Sequence, residues 1–285
     1  MAGLYVRRSG PPGAPPGTPV LLLLPGAGAD HRSWGAEIAD WGRSWRLLAP
    51  DPPGTGASAG PPPADWEELL AAYGPLLEEA PGAPLVLVGL SLGSRAALAL
   101  AARAGARLAA MVLIHPWLEA DADLRRRLRA VRELVRWAPE PVYAEVLAWL
   151  LGSRRLAEEP GRIERMAEAW RPPLGPSREV LLAYLGLEPE PLAPERLPRV
   201  PALVVAGAQD RMIPLRYSRR LAERLPGARR LFFRGPGSGH LLHVERSAEF
   251  RRAVRSFLEE VLAGGAAAPR EGGEAVGRRP GGGSG

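Results

Sequence analysis

Ser91 stands in the pentapeptide Gly89-Leu90-Ser91-Leu92-Gly93, between an apolar run, Leu85 to Val88, and a helix-forming stretch, Ser94 to Ala104. Strand, sharp turn and helix in that order make a nucleophile elbow, a turn that holds one hydroxyl exposed on a strained backbone. The flanking glycines have a steric reason, because side chains at those positions would collide with neighbouring backbone. A helix N-terminus directly after the serine adds backbone donors and a positive dipole end where an oxyanion would form. A serine hydroxyl is a poor nucleophile near neutral pH, so it needs a base, and the base needs an orienting carboxylate. Both stand downstream. Asp210 follows the apolar run Ala202 to Ala206 through Gly207-Ala208-Gln209, and His240 follows Leu231 to Phe233 through the loop Gly235 to Gly239. Each lies at the carboxyl end of a run that reads as a core strand, the edge where open α/β sheets place their sites. The chemistry this implies is acyl transfer through a covalent serine intermediate.

Other residues compete for these roles. His243 lies in the helix that follows His240, a place for packing or capping. His115 ends the run Ala109 to Ile114, before Pro116 and Trp117, and is expected to line the pocket or to serve as a structural histidine. His31 and Trp34 follow the segment Leu24 to Gly28 and are expected near the substrate. Asp51 is an alternative acid, but it sits in a turn-rich loop, so Asp210 is preferred.

The elements that must position these residues can be read from periodicity. Short apolar runs at Val20 to Leu24, Trp45 to Ala49, Leu85 to Leu90, Ala109 to Ile114, Ala202 to Ala206 and Arg230 to Phe233 alternate with helical patterns near 64–80, 92–104, 214–225 and 244–262. A further short strand is expected near Leu4 to Arg7. That alternation is the signature of an α/β fold with a mostly parallel central sheet and helices on both faces. It fails between residues 117 and 199, where only amphipathic helices are expected, near 121–137, 139–151, 154–170 and 177–186. The chain therefore divides into a core, 1–116 and 200–263, an all-helical cap, 117–199, and a glycine-rich tail, 264–285, too polar to fold. The cap carries Trp137, Trp149 and Trp170, and Trp149 and Trp170 are expected to face a cavity between cap and core.

Composition removes several other chemistries. The chain has 285 residues with 46% hydrophobic content, enough for a sizeable core, and it contains no cysteine and only four histidines. Disulfides and thiolate metal sites are excluded, and a multi-histidine metal centre is short of ligands. The formal charge of +6 comes from arginine alone, since lysine is absent, as is asparagine. Arg125, Arg126, Arg129, Arg132 and Arg136 recur among apolar residues at helical spacing, which reads as a solvated face and not as a nucleic-acid surface. No apolar run is long enough to cross a membrane and the N-terminus lacks a signal-peptide core, so a cytoplasmic protein is expected.

With these residues in view, the chain from about Leu4 to Leu262 resembles the α/β-hydrolase fold family with a helical cap. Besides the elbow, Asp51-Pro52-Pro53-Gly54-Thr55-Gly56-Ala57-Ser58 is similar to the family's D-x-x-G-x-G-x-S loop, and Gly239-His240 with Glu245 to its G-H-x-x-x-x-E ending. Leu24 to Trp34 and Val200 to Gly227 look most like the 3-oxoadipate enol-lactonase-like and aminoacrylate-hydrolase-like branch. The resemblance implies an oxyanion hole built from the Ala27 and Leu92 amides. Many members carry His-Gly where this chain has Pro25-Gly26, which leaves the Ala27 amide available but removes a bracing side chain. The implied activity is hydrolysis of a carboxylic ester or lactone of a small to medium apolar molecule by Ser91, His240 and Asp210, without metal or organic cofactor. Amide or C–C bond hydrolysis, acyl transfer, cofactor-free peroxidase chemistry and a non-catalytic ligand-binding role are the alternatives on this fold. Haloalkane dehalogenase and epoxide hydrolase chemistry is disfavoured, because both need an aspartate where Ser91 stands. The only partner expected is a small-molecule substrate, and oligomeric state is not encoded in any motif.

Overall fold

The structure is a computed structural model and describes residues 3–264. Apart from Gly264, the expected tail lies outside the described residues. Seven strands form one sheet: β1 (Val6–Ser9), β2 (Val20–Leu24), β3 (Arg46–Pro50), β4 (Leu85–Leu90), β5 (Leu108–Ile114), β6 (Ala202–Gly207) and β7 (Arg229–Phe233). Their spatial order is β1-β3-β2-β4-β5-β6-β7, and every pairing is parallel except that of β1 with β3. In β2, β4 and β6 every residue is buried, as uninterrupted apolar runs require when helices cover both faces.

Successive side chains in a strand point to opposite faces, and the core divides accordingly. Val20, Leu22 and Leu24 pack with α2 (Trp66–Tyr73) and α3 (Leu92–Ala104), whereas Leu21 and Leu23 pack with α1 (Gly35–Trp41) and α11 (Ser247–Ala263). Between β5 and β6 the described residues form no strand, only α4 (Ala122–Trp137), α5 (Glu140–Leu151), α6 (Arg154–Glu158), α7 (Arg162–Glu168) and α8 (Arg178–Gly186). This is the helical cap. Side-chain oxygens of Asp121, Ser153 and Ser177 accept N–H bonds in the first turns of α4, α6 and α8, which terminates each helix cleanly. The remaining helices are α9 (Leu215–Arg224), between β6 and β7, and the short α10 (Leu242–Glu245). Among the described residues no helix is long and apolar enough to cross a membrane.

The cap is tied to the core at defined points. Arg95, buried on α3, donates to the carbonyls of Trp117 (3.4 Å) and Glu190 (2.5 Å), one on each chain passage into the cap. The Tyr184 hydroxyl on α8 donates to Pro53 O at 2.9 Å.

Four details differ from the sequence reading. β1 starts at Val6, because its antiparallel register pairs Val6 with Pro50. The helical stretch at 154–170 is broken at Pro160, whose missing N–H cannot continue the ladder, and at Gly161, which takes φ +66°. Residues 244–262 form two helices, not one, with Arg246 between them at φ −119° and ψ 39°. Helix α1 was not anticipated, since seven residues beginning at a glycine carry too little periodicity to stand out.

Candidate active site

Strand order reverses between β2 and β4: the chain builds β3 on one side of β2 and β4 onward on the other. Crevices at the carboxyl ends of strands beside such a switch point are where α/β sheets bind ligands. Here Leu24 pairs with Gly89, so the loop after β2 and the elbow after β4 emerge side by side. Ser91 has φ +54° and ψ −117°, a left-handed strain that side chains rarely adopt. The surroundings hold it there. Its N–H donates to Ile114 O at 2.8 Å, and a Cβ at Gly89 would lie 2.3 Å from Gly93 O. A Cβ at Gly93 would lie 2.1 Å from Leu24 O, so the helix start can rest on the β2 backbone only because that residue is glycine. Ser94, which carried no signal in the sequence, is fully buried with Oγ 2.6 Å from Gly89 O and 2.8 Å from Ile114 O, and it braces the elbow from beneath.

Asp210 and His240 meet at the same edge. His240 Nδ1 lies 2.7 Å from Asp210 Oδ2, while Asp210 Oδ1 accepts the Met212 and Ile213 amides at 2.8 Å each. With its proton on Nδ1, the neutral imidazole keeps Nε2 as the basic nitrogen. The two loops are fastened together by Gln209 N–H to Ser238 O at 2.9 Å, and a Cβ at Gly207 would sit 2.1 Å from that same carbonyl. Burial alone would raise the Asp210 carboxyl, but the His240 and His115 imidazoles outweigh it and hold the group well below the usual carboxylate range. The histidine loop is also pinned by the cap: Leu241 N–H donates to Leu151 O, and Glu245 accepts the Ser153 N–H and hydroxyl.

Ser91 and His240 line one cavity of about 960 Å³ between cap and core, and Ala27 and Leu92 line it beside them. Leu92 opens α3, so its N–H has no intrahelical acceptor. Trp117, Leu147, Leu151, Met166 and Leu181 make an apolar wall, and Trp170 joins it.

Several sequence expectations are corrected. His31 does not reach this cavity; its Nδ1 lies 2.6 Å from Asp51 Oδ1 and its ring faces a separate depression beside Arg7 and Ser9. Trp34 is fully buried beneath the sheet edge, its ring 5.6 Å from that of His243. Trp149 lies on the outer surface of the cap, under the Arg211 guanidinium at 4.4 Å. His115 is fully buried against Asp210 and does not line the cavity. Arg125, Arg129, Arg132 and Arg136 form a stripe on α4 that faces the cavity mouth, where Glu119, Glu133 and Glu188 also lie. Arg125, Arg129 and Arg136 are exposed, as expected, whereas Arg132 is half-buried, and all four line the cavity. His243 packs, as expected, between Trp34 and Phe250.

Two groups bring possible metal ligands within 4.8 Å of one another: His115, Asp210 and His240, and Asp30, His31 and Asp51. In the first, both imidazole nitrogens lie 2.6 and 2.7 Å from a single carboxylate oxygen. That is hydrogen-bond spacing, shorter than ligand atoms keep across a metal with bonds of about 2.0–2.1 Å.

A doubly wound sheet, a strained serine at its switch point and a covering helical cap define a hydrolase-type fold and site. The chain belongs to the alpha/beta hydrolase family, whose profile matches residues 21–253. A putative carbamate hydrolase RutD from Klebsiella pneumoniae (strain 342) is 29% identical over 264 residues, 87% of this chain and 94% of that protein. Among solved structures, a thermophilic esterase from Thermogutta terrifontis is 25% identical with a TM-score of 0.72, covering 90% of this chain and 93% of that one. The enol-lactonase from Burkholderia xenovorans LB400 shares the fold at a TM-score of 0.75 and 22% identity, covering 90% of this chain and 96% of that one.

Proposed function

We propose that the protein is a serine hydrolase that cleaves a carboxylic ester or lactone through an acyl-enzyme. The observation that carries this reading is the strained Ser91 at a helix N-terminus, sharing a cavity with an imidazole whose far nitrogen is held by a buried carboxylate. Ser91 Oγ attacks the substrate carbonyl while His240 Nε2 takes its proton. The resulting imidazolium is stabilised by Asp210, which stays ionised, and the tetrahedral oxyanion is received by the Ala27 and Leu92 amides. His240 then returns the proton to the leaving group, and a water activated by the same base releases the acyl group. The apolar wall and the 960 Å³ volume suit a small to medium substrate with an apolar body.

Carbamate hydrolysis is a second reading, favoured by the similarity to the Klebsiella carbamate hydrolase. It uses the same attack on a carbonyl carbon but forms a carbamoyl-serine, since a nitrogen on that carbon replaces the ester's carbon substituent. A fluorophosphonate probe should label Ser91 in the wild-type protein and fail to label Ser91→Ala. Ser91→Ala should lower ester turnover by at least ~10³-fold at unchanged melting temperature. His240→Ala should be comparably severe and His243→Ala mild. Retention of labelling and turnover in Ser91→Ala would remove the reading, and a folded wild-type protein that never labels would favour a ligand-binding role.

A further inference from the structure

Asp210 Oδ2 is approached by two imidazoles. His240 Nδ1 meets it at 2.7 Å in good hydrogen-bond geometry, and His115 Nδ1 meets it at 2.6 Å off the N–H axis. The two rings stack with centroids 4.7 Å apart and an interplanar angle of 29°. Two stacked donors cannot both point straight at one oxygen, so the poorer alignment of His115 follows from the better alignment of His240. A bare imidazole nitrogen would turn its lone pair toward the anionic oxygen at 2.6 Å, so the contact favours the tautomer with the His115 proton on Nδ1, even at poor alignment. Among the described residues no other polar group holds that ring, since neither of its nitrogens has a well-formed hydrogen bond and its exposure is nil. The backbone is strained to deliver it: His115 has φ +51°, with its N–H bound to Val205 O at 2.8 Å. Strain of this kind persists where the surroundings over-determine it, and it gathers at functional sites.

Resting on the triad reading above, we propose that His115 is a positioning residue for that triad. It acts as a second imidazole donor that divides the Asp210 carboxylate between itself and His240 and thereby sets how strongly that carboxylate holds the His240 imidazolium. Asp210 carries about four acceptor sites: the Met212 and Ile213 amides and His240 take three, and His115 Nδ1 crowds Oδ2 at 2.6 Å. A donor that draws charge from Oδ2 leaves less to stabilise the His240 imidazolium. Removing that donor would concentrate the carboxylate charge on the His240 imidazolium. Charged forms act on this cluster from few directions. Asp210 and His240 act on His115, and His243 on α10 feels both other imidazoles. Burial depresses His115 and keeps it neutral, so it works as a dipolar donor and not as a second cation beside His240.

The test uses the full chain. His115→Leu keeps much of the volume and removes the donor; His115→Asn keeps a donor and tolerates a left-handed backbone. The acid limb of the kcat/KM profile should move up by roughly 0.5–1 pH unit in His115→Leu and return toward wild type in His115→Asn. Lower melting temperatures in both variants with an unmoved acid limb would overturn the proposal and leave His115 a packing residue. ¹⁵N-histidine spectra of the wild-type chain, with His115 identified by its loss in His115→Asn, should show Nδ1 protonated. A bare Nδ1 would overturn the proposal even if His115→Leu fails to fold. Ser91→Ala keeps the outcomes apart: if it retains turnover, the triad reading itself fails, whereas its loss of turnover with an unmoved limb in His115→Leu refutes the role of His115 alone.

Discussion

Glu37, on α1, is 1% exposed and its Oε1 has no hydrogen-bond partner. Burial pushes its carboxyl up to about 7, against the smaller opposing effects of its own backbone N–H and of the Arg251 charge. A carboxyl raised in the folded state favours the protonated form, so the fold binds more protons than the unfolded chain between about 4.5 and 7. Stability from this group is complete at lower pH and is lost as pH rises through that window. His243 works in the opposite direction. Burial pushes it down to about 3, so its contribution is complete above the ordinary histidine value of 6.5 and is lost as pH falls. Urea unfolding of the wild-type protein at pH 5 and pH 8 should show the loss from Glu37 at the higher pH. In Glu37→Gln that difference should shrink by roughly 3 kcal/mol. An identical pH dependence in the two proteins would mean that Glu37 is hydrated or paired in solution.

At the scale of elements, the junction of β2, β4 and α3 depends on two side chains being absent. Gly93→Ala would drive a Cβ to 2.1 Å from Leu24 O and 2.5 Å from Pro25 O. Helix α3 must then back away from the loop that carries Ala27. On the proposed mechanism the Ala27 and Leu92 amides would separate, and loss of one oxyanion donor typically costs ~10²–10³ in turnover. Gly93→Ala should therefore slow fluorophosphonate labelling by at least ~10²-fold. Gly74→Ala is the control: a Cβ there meets nothing within 4 Å and the backbone is helical. It should leave labelling unchanged and raise stability by ~0.4–1 kcal/mol. Equal labelling rates in the two variants would show that α3 is free to shift without disturbing the hole.

The whole molecule places its cap tryptophans on different surfaces. Trp170 lines the cavity, whereas Trp149 is 45% exposed on the cap's outer side. Trp170→Ala should open space over the site and shift relative kcat/KM toward bulkier acyl groups, each methylene of fit being worth ~1–3 kcal/mol. Trp149→Ala should leave the chain-length profile alone and cost little stability, since half its ring area is already wet and its partner is the Arg211 cation. Relative kcat/KM for p-nitrophenyl esters of increasing chain length, with melting temperatures, separates the two. A shift in Trp149→Ala with none in Trp170→Ala would mean that substrate enters from the other side of the cap.

What the sequence determined by itself was the sheet, the cap as an all-helical interruption, and the grouping of Ser91, Asp210 and His240 at one edge. Those follow from local causes: short uninterrupted apolar runs between helical patterns, a glycine-flanked turn, and the rule that successive parallel strands present their carboxyl ends together. Tertiary structure decided where side chains near that edge turn. His115 swings behind the cavity onto Asp210 because its backbone is left-handed, and φ at a single residue leaves no mark on periodicity. Trp34 falls under the sheet and Trp149 faces outward for a related reason: a helical pattern says which face is apolar, not what that face will meet. The arginines of α4 likewise read as solvated from spacing alone, and only the packing of the cap over the β-strand ends turns them toward the mouth of the site.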